Sequence, residues 1–301
     1  MLGRRLVSAA VIVSVLLGLI VVDYRLGFDD WAGRSGLVLA VLAIVIAMAS
    51  AYELVGLFGQ HLAGRGYKQN IAIAGVSVAI CCAPVLWLDY PVDCAIGHFG
   101  WSLMGLTFAL GMTLLLQIIR FEDDGLATTR LGLLVMLHVQ LILLFGFLIG
   151  HRLLMHENSQ GMVALITLIA TVKMSDAAAY FVGKSFGKNK LAPKLSPGKT
   201  IEGLVGSVFG ALLGCAIVVY LVAPCIFKLT LNISWVWIVV YSVAVTLAGV
   251  VGDLAESMIK RDAKLKDSST WLPGLGGVLD VTDSLVLAAP ISYFLWVLTS
   301  Y

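Results

Sequence analysis

Asp253, Glu256, Ser257, Lys260, Arg261 and Lys264 recur at i, i+3, i+4, i+7, i+8 and i+11. On a helix of 3.6 residues per turn that spacing draws one continuous polar stripe. Leu254, Ala255, Met258 and Ile259 fall on other faces. A loop with Lys266, Asp267, Ser268 and Ser269 follows, then a Pro-Gly-Leu-Gly-Gly turn at 273–277. Beyond it Asp280, Asp283 and Ser284 stand again at i, i+3 and i+4. Two facing helices would gather Asp253, Asp280 and Asp283, and like charges repel unless a cation sits between them. Carboxylates of this kind suit oxygen-ligated Mg2+, which also holds substrate phosphates. The lysines and arginine alongside suit more phosphate. The expected chemistry is phosphoryl or nucleotidyl transfer, in which a protein mainly positions groups and neutralises charge. An acceptor that is itself a phosphate is already anionic and needs no general base. That agrees with a sequence in which no Ser/His/Asp or Cys/His constellation stands out. A site at the membrane surface makes the acceptor a lipid phosphate.

A second polar segment, 182–203, carries Lys184, Lys188, Lys190, Lys194 and Lys199, with no acid before Glu202. A basic run beside a membrane ordinarily sets orientation or meets anionic headgroups. That does not explain Ser196-Pro197-Gly198-Lys199-Thr200. Pro197 and Gly198 are expected to turn the chain, so that backbone amides, Lys199 and two hydroxyls meet an anionic phosphate at a helix start. The spacing is not that of a Walker loop, because Pro193 stands where its first glycine belongs. Upstream, Lys173, Ser175 and Asp176 interrupt an apolar run. Ionisable residues at membrane depth are costly and are functional candidates. The plainer alternative is a self-satisfied Lys173–Asp176 pair at i, i+3.

These residues must be positioned by helices in a bilayer. Of 301 residues 60% are hydrophobic and 13% charged, against roughly 25% charged in soluble domains. Nine apolar runs can cross about 30 Å of hydrocarbon: about 5–22, 36–58, 71–88, 101–119, 131–150, 162–183, 203–224, 234–251 and 279–299. The expected fold is all-α and polytopic, a single integral membrane domain over 1–301. Within it, 1–161 is a helical scaffold and 162–301 carries the catalytic helices and loops. The first run is too long for a signal core, and no cleavage site stands out after it, so it reads as an uncleaved span. Fifteen of the twenty Lys and Arg fall at the N-terminus and the even-numbered connections. The positive-inside rule then puts the N-terminus in the cytoplasm. The five cysteines show no metal-binding spacing and read as packing residues. His61, His98, His138, His151 and His156 form no ligand pattern. Gly206, Gly210 and Gly214 suit close helix packing.

The stretches 252–290 and 175–207 resemble the two characteristic cytoplasmic segments of bacterial phosphatidate cytidylyltransferases, also called CDP-diacylglycerol synthases. The likeness is close over about 176–290, and the N-terminal half matches in hydropathy and span number. Ser257, Lys260, Arg261, Lys266, Asp267, Gly276, Gly277, Asp280 and Asp283 fall on the signature. The resemblance implies a divalent-metal-dependent reaction in which CTP and phosphatidate give CDP-diacylglycerol and pyrophosphate, a step of phospholipid biosynthesis. It implies Asp253 and Asp280 as leading metal ligands, with Asp283 and Asp267 close by. Asp176, Ser196, Gly198, Lys199, Thr200, Ser257, Lys260, Arg261 and Lys266 are the residues expected at substrate phosphates. Mg2+ is the expected cofactor, with room for a second cation. CTP and membrane phosphatidic acid are the expected partners, a homodimer is allowed for, and nucleic acid is excluded. The expected location is the bacterial inner membrane, with the site facing the cytoplasm.

Three positions depart from the family pattern. Leu275 replaces a histidine and Val281 an arginine, and Ala177 stands where a hydroxyl is common. These departures leave open a variant enzyme for another lipid phosphate, or an inactive relative. A cation-coupled transporter is the rival of a different class. It calls for acids near mid-membrane and symmetric halves, whereas here charge gathers at one face in the C-terminal half. An alcohol phosphotransferase would need a DG-x-x-AR acidic motif, which the chain lacks.

Overall fold

The computed structural model describes residues 2–26, 36–58, 67–87, 94, 96–121, 124–154, 158–269, 271–272 and 276–299. The chain is a multi-span membrane protein whose described residues are mainly helical, with one small hairpin among them. Among the described residues seven helices are long and apolar enough to cross a membrane: Leu37–Leu57, Gly97–Ile119, Ala127–Arg152, Asn158–Phe186, Ile201–Ile226, Trp235–Asp262 and Val278–Val297. Large apolar side chains such as Val45, Leu103, Phe209 and Leu213 are exposed on them, as suits helices solvated by hydrocarbon. The first expected run is helical over Leu2–Leu26. The third is a shorter helix, Tyr67–Cys81, followed by a four-residue helix, Ala83–Leu86, with Pro84 in its first turn. His61, His156 and Leu275 lie outside the described residues.

Two compact units divide the chain. One comprises Met1–Leu153 with Ala263–Val281, the other Leu154–Asp262 with Thr282–Tyr301. In the first lie α1 (Leu2–Leu26), α2 (Leu37–Leu57), α3 (Tyr67–Cys81), α4 (Ala83–Leu86), α5 (Gly97–Ile119) and α6 (Ala127–Arg152). A face of small residues on α2, Ala40, Ala43, Ala47 and Ala51, is fully or almost fully buried. At one end of this unit Asp23 is buried completely. Its carboxylate accepts the N–H groups of Gly36 at 3.0 Å, Val38 at 3.0 Å and Leu39 at 3.4 Å. It therefore caps α2, whose preceding residue, Gly36, has φ +96° and no side chain of its own to do so. Arg152 Nε, at the end of α6, donates to Asp23 Oδ2 at 2.8 Å. A buried charge persists only when paired and hydrogen-bonded, and here one carboxylate meets four donors.

The second unit holds α7 (Asn158–Phe186), strands β1 (Lys190–Ala192) and β2 (Ser196–Thr200), and α8 (Ile201–Ile217). α8 runs through a π-helical turn, Val218–Val222, into α9 (Ala223–Ile226), before α10 (Trp235–Asp262). α11 (Val278–Val297) starts in the first unit and continues in the second. Side chains added at Gly206, Gly210 or Gly214 would overlap Val182, Ala178 and the backbone of Met174 and Ala170. These glycines let α7 and α8 touch backbone to backbone, as their spacing suggests.

The hairpin corrects one expectation. Pro197 and Gly198 do not turn the chain but lie within β2, and the turn falls at 193–195. β1 and β2 pair antiparallel, Lys190 opposite Thr200 and Ala192 opposite Ser196. Proline is tolerated here because a two-stranded sheet has only edges. Glu202 holds the entrance, accepting from the backbone of Lys188 and Asn189 at 3.1 Å each and from Asn189 Nδ2 at 2.8 Å.

Candidate active site

The polar stripe forms on α10, with one change. The helix ends at Asp262, and Lys264 lies beyond it with φ +57°, the left-handed conformation common just past a helix end. Lys264 is therefore off the stripe. Glu256 and Lys260, one turn apart, pair at 3.0 Å and are both buried. Ser257 Oγ donates to Asp253 Oδ1 at 3.5 Å, a long contact. Exposed Arg261 reaches the hairpin turn, its Nε donating to the Leu195 carbonyl at 3.2 Å. At 28 residues α10 is about 42 Å long, so it exceeds the hydrocarbon thickness and its charged end can stand in water.

Lys199 crosses from β2 to this stripe, with Nζ 2.8 Å from Asp253 Oδ2. Thr200 fixes where the strand stops, its Oγ1 capping α8 by accepting from Gly203 N at 3.1 Å. The hairpin is thus tied to α10 by a lysine and an arginine. Ser196 and Gly198 lie on β2 as well, and a side chain at Gly198 would meet nothing within 4 Å.

Gly252 explains the neighbour of Asp253. A side chain at 252 would overlap the Asp283 carbonyl, so α10 and α11 approach here as bare backbone. Asp283 therefore stands on α11 where that helix meets the residue before Asp253. Asp176, on α7, pairs with Lys173 at 3.3 Å and accepts from Ser284 Oγ at 3.2 Å. The expected i, i+3 pair therefore exists, yet Asp176 also reaches α11. Three carboxylates from three helices, with two lysines, make up this end of the second unit.

Asp280 belongs to the first unit, where its Oδ2 accepts from Ser268 N at 2.9 Å, Ser268 Oγ at 2.8 Å and Gly277 N at 2.7 Å. Lys266 and Asp267 are exposed on the loop. The sequence reading missed Glu53, near the end of α2 and 3% exposed. It accepts from Val278 N and Leu279 N at 2.9 Å each, from Ser269 Oγ at 2.6 Å and from Ser268 Oγ at 3.1 Å. A lone acid in an apolar run was the signal available, the same one that singled out Asp176.

Among the described residues no three His, Cys, Asp or Glu side chains stand grouped so as to hold a metal by themselves. Mg2+ rarely asks for that, being held by one or two carboxylates with water and substrate phosphates completing six oxygens. The donor set of Asp253 and Asp283 is of the hard, anionic type this ion takes.

The chain is similar to known proteins. The phosphatidate cytidylyltransferase of Haemophilus influenzae is 43% identical over 140 residues, 46% of this chain and 48% of that protein. That of Bacillus subtilis is 34% identical over 222 residues, 66% of this chain and 79% of that protein. That of Brucella suis is 29% identical over 301 residues, 97% of this chain and 92% of that protein. The match thus spans about half the Haemophilus protein and nearly all of the Brucella one. A family model described as the cytidylyltransferase family matches residues 4–299, and the chain belongs to that family.

Proposed function

We propose that this chain is a membrane phosphatidate cytidylyltransferase, joining CTP to phosphatidate to give CDP-diacylglycerol and pyrophosphate in phospholipid biosynthesis. A phosphate oxygen of the lipid attacks the α-phosphorus of CTP. The new P–O bond forms as the bond to the β-phosphate breaks, and pyrophosphate leaves. The observation that carries this reading is the Lys199–Asp253 pair, with Asp283 on the helix that meets Gly252 beside it, in a chain whose relatives bear this name.

Mg2+ supplies neutralisation of the phosphate charge, held by Asp253 and Asp283. Asp280, one turn earlier on α11, is the further carboxylate expected from the signature. Lys199 and Arg261 bind phosphate, Lys199 exchanging its contact with Asp253 for CTP. Ser196, Gly198 and Thr200 shape the strand beside it. Ser257, Lys260 and Asp176 hold the surrounding carboxylates and cations in place. Lys266 and Asp267, on the exposed loop, meet the nucleotide or the headgroup.

The chain crosses the inner membrane nine times, with the N-terminus and the site in the cytoplasm. The bias of fifteen among twenty basic residues supports that orientation. A homodimer is compatible with this arrangement. The substitutions at Leu275 and Val281 favour one second reading, in which the acceptor is a different lipid phosphate. The test is purified protein in detergent with radiolabelled CTP, Mg2+ and a panel of lipid phosphates. Labelled lipid formed with phosphatidate supports the first reading, and label confined to another acceptor supports the second.

A further inference from the structure

α11 begins with a defect that another helix repairs. Its N-cap residue is Gly277, which has no side chain to accept from the first helical amides. Such amides at a helix start lack intrahelical partners and need them from elsewhere. Asp280, at the third helical position, reaches back to Gly277 N at 2.7 Å, which is half of a capping box. The other half comes from 224 residues upstream. Both oxygens of Glu53 are used, Oε1 by Val278 N and Oε2 by Leu279 N, at 2.9 Å each.

The glycine is required by this arrangement. A side chain at Gly277 would overlap both Glu53 oxygens and the Ser268 hydroxyl. The loop is drawn in as well. Ser269 Oγ donates to Glu53 at 2.6 Å, while Ser268 Oγ stands 3.1 Å from Glu53 and 2.8 Å from Asp280. That hydroxyl has a single proton and serves one carboxylate at a time. Trp271 stacks on Tyr52, the residue before Glu53, with ring centroids 4.8 Å apart. Leu272 and Gly276 exchange backbone hydrogen bonds at 2.9 and 3.1 Å. The loop and the first turn of α11 are therefore fastened to α2 through one buried carboxylate.

We infer that Glu53 is a positioning residue for the reaction: as the external N-cap of α11, it sets the direction in which the first turn of that helix presents Asp280. This rests on the function proposed above. Outer hydrogen-bond partners of metal-ligating groups typically change metal affinity or activity 10- to 100-fold when removed.

The experiment uses the full chain in detergent with four variants: Glu53→Ala, Glu53→Gln, Gly277→Ser and Glu53→Ala with Gly277→Ser. Backbone hydrogen exchange is followed in peptides covering 277–281, and the Mg2+ concentration giving half-maximal CTP-dependent lipid labelling is measured. Glu53→Ala is expected to speed exchange at Val278 and Leu279 at least tenfold and to raise the Mg2+ requirement roughly 10- to 100-fold. Glu53→Gln, which keeps one acceptor oxygen and adds a misplaced donor, should fall between. Gly277→Ser alone should be impaired, because its side chain meets Glu53. In the double variant the Glu53 carboxylate is gone and the Ser268 hydroxyl, the end of a rotatable side chain, can turn aside, so the serine can cap α11 itself and exchange and Mg2+ requirement should both return toward wild type. Unchanged exchange in Glu53→Ala overturns the clamp. Faster exchange with an unchanged Mg2+ response makes Glu53 structural only and overturns the positioning role. Should the wild type label no lipid, the proposed reaction fails, while exchange and its rescue in the double variant still decide the clamp.

Discussion

Lys199 Nζ lies 2.8 Å from Asp253 Oδ2, joining the basic hairpin to the first acid of the α10 stripe. Both side chains are partly open to solvent, at 21% and 34% of full exposure. A pair of that kind contributes about 0.2–1 kcal/mol to stability. Lys199→Ala should therefore unfold at nearly the same temperature as wild type. Under the proposed function its apparent affinity for CTP should fall about tenfold or more, because a phosphate-binding cation is then gone. Substrate titration beside a thermal melt reads both. An unchanged affinity for CTP and phosphatidate returns Lys199 to the class of orienting charges.

Asp253→Asn and Asp283→Asn should each remove turnover almost entirely while leaving a folded protein. Under the proposed assignment each substitution deletes a charge that would hold Mg2+ against water. Chelation of the wild type should silence it in the same way, and added Mg2+ should restore it. The check is initial rate across a Mg2+ series with circular dichroism on each variant. Near-normal turnover of either variant at ordinary Mg2+ contradicts the assignment.

What the sequence made legible follows from range. Asp253 and its stripe are local, and helix periodicity puts them on one face without further information. The apolar runs declare themselves because hydrocarbon demands length. The hairpin was hidden, since a lysine- and proline-rich segment has no alternating pattern, and Pro197 points to a turn that lies two residues earlier. Lys264 was placed on a helix that ends two residues before it, because nothing in an exposed Lys-rich end marks where the helix stops. Glu53 pairs with residues more than 200 positions away, and Asp23 with Arg152 across 129. No single sequence shows contacts at such separations.

Asp23 and Arg152 give a stability prediction away from the site. Asp23→Ala removes the carboxylate that Arg152 Nε donates to and leaves the amides of Gly36, Val38 and Leu39 without this acceptor. Removing one partner of a buried pair costs about 3–5 kcal/mol. Asp23→Ala should melt well below wild type. The double variant Asp23→Leu with Arg152→Met should recover part of that loss, because no charge remains buried. Thermal unfolding in detergent decides it, and equal melting of single variant and wild type refutes the role given to the pair.

Val281 sits on α11, half-buried, between Asp280 and Asp283 in the chain. The pair of substitutions Leu275→His and Val281→Arg restores the family pattern. An arginine at 281 has carboxylates and substrate phosphate within reach to pair with. The restored protein should stay folded and label phosphatidate at least as fast as wild type. Loss of activity on every lipid phosphate in a panel shows instead that the pocket has been reshaped around these residues.

The decisive measurement follows both ends of CTP. Purified protein is given phosphatidate, Mg2+ and CTP carrying separate labels on its α- and γ-phosphates. The α-label is expected in the lipid, the γ-label in released pyrophosphate, in equal amounts and only when all three components are present. A γ-label in the lipid means phosphoryl transfer, and an unlabelled lipid under every condition means no cytidylyl transfer at all; either result contradicts the proposed reaction.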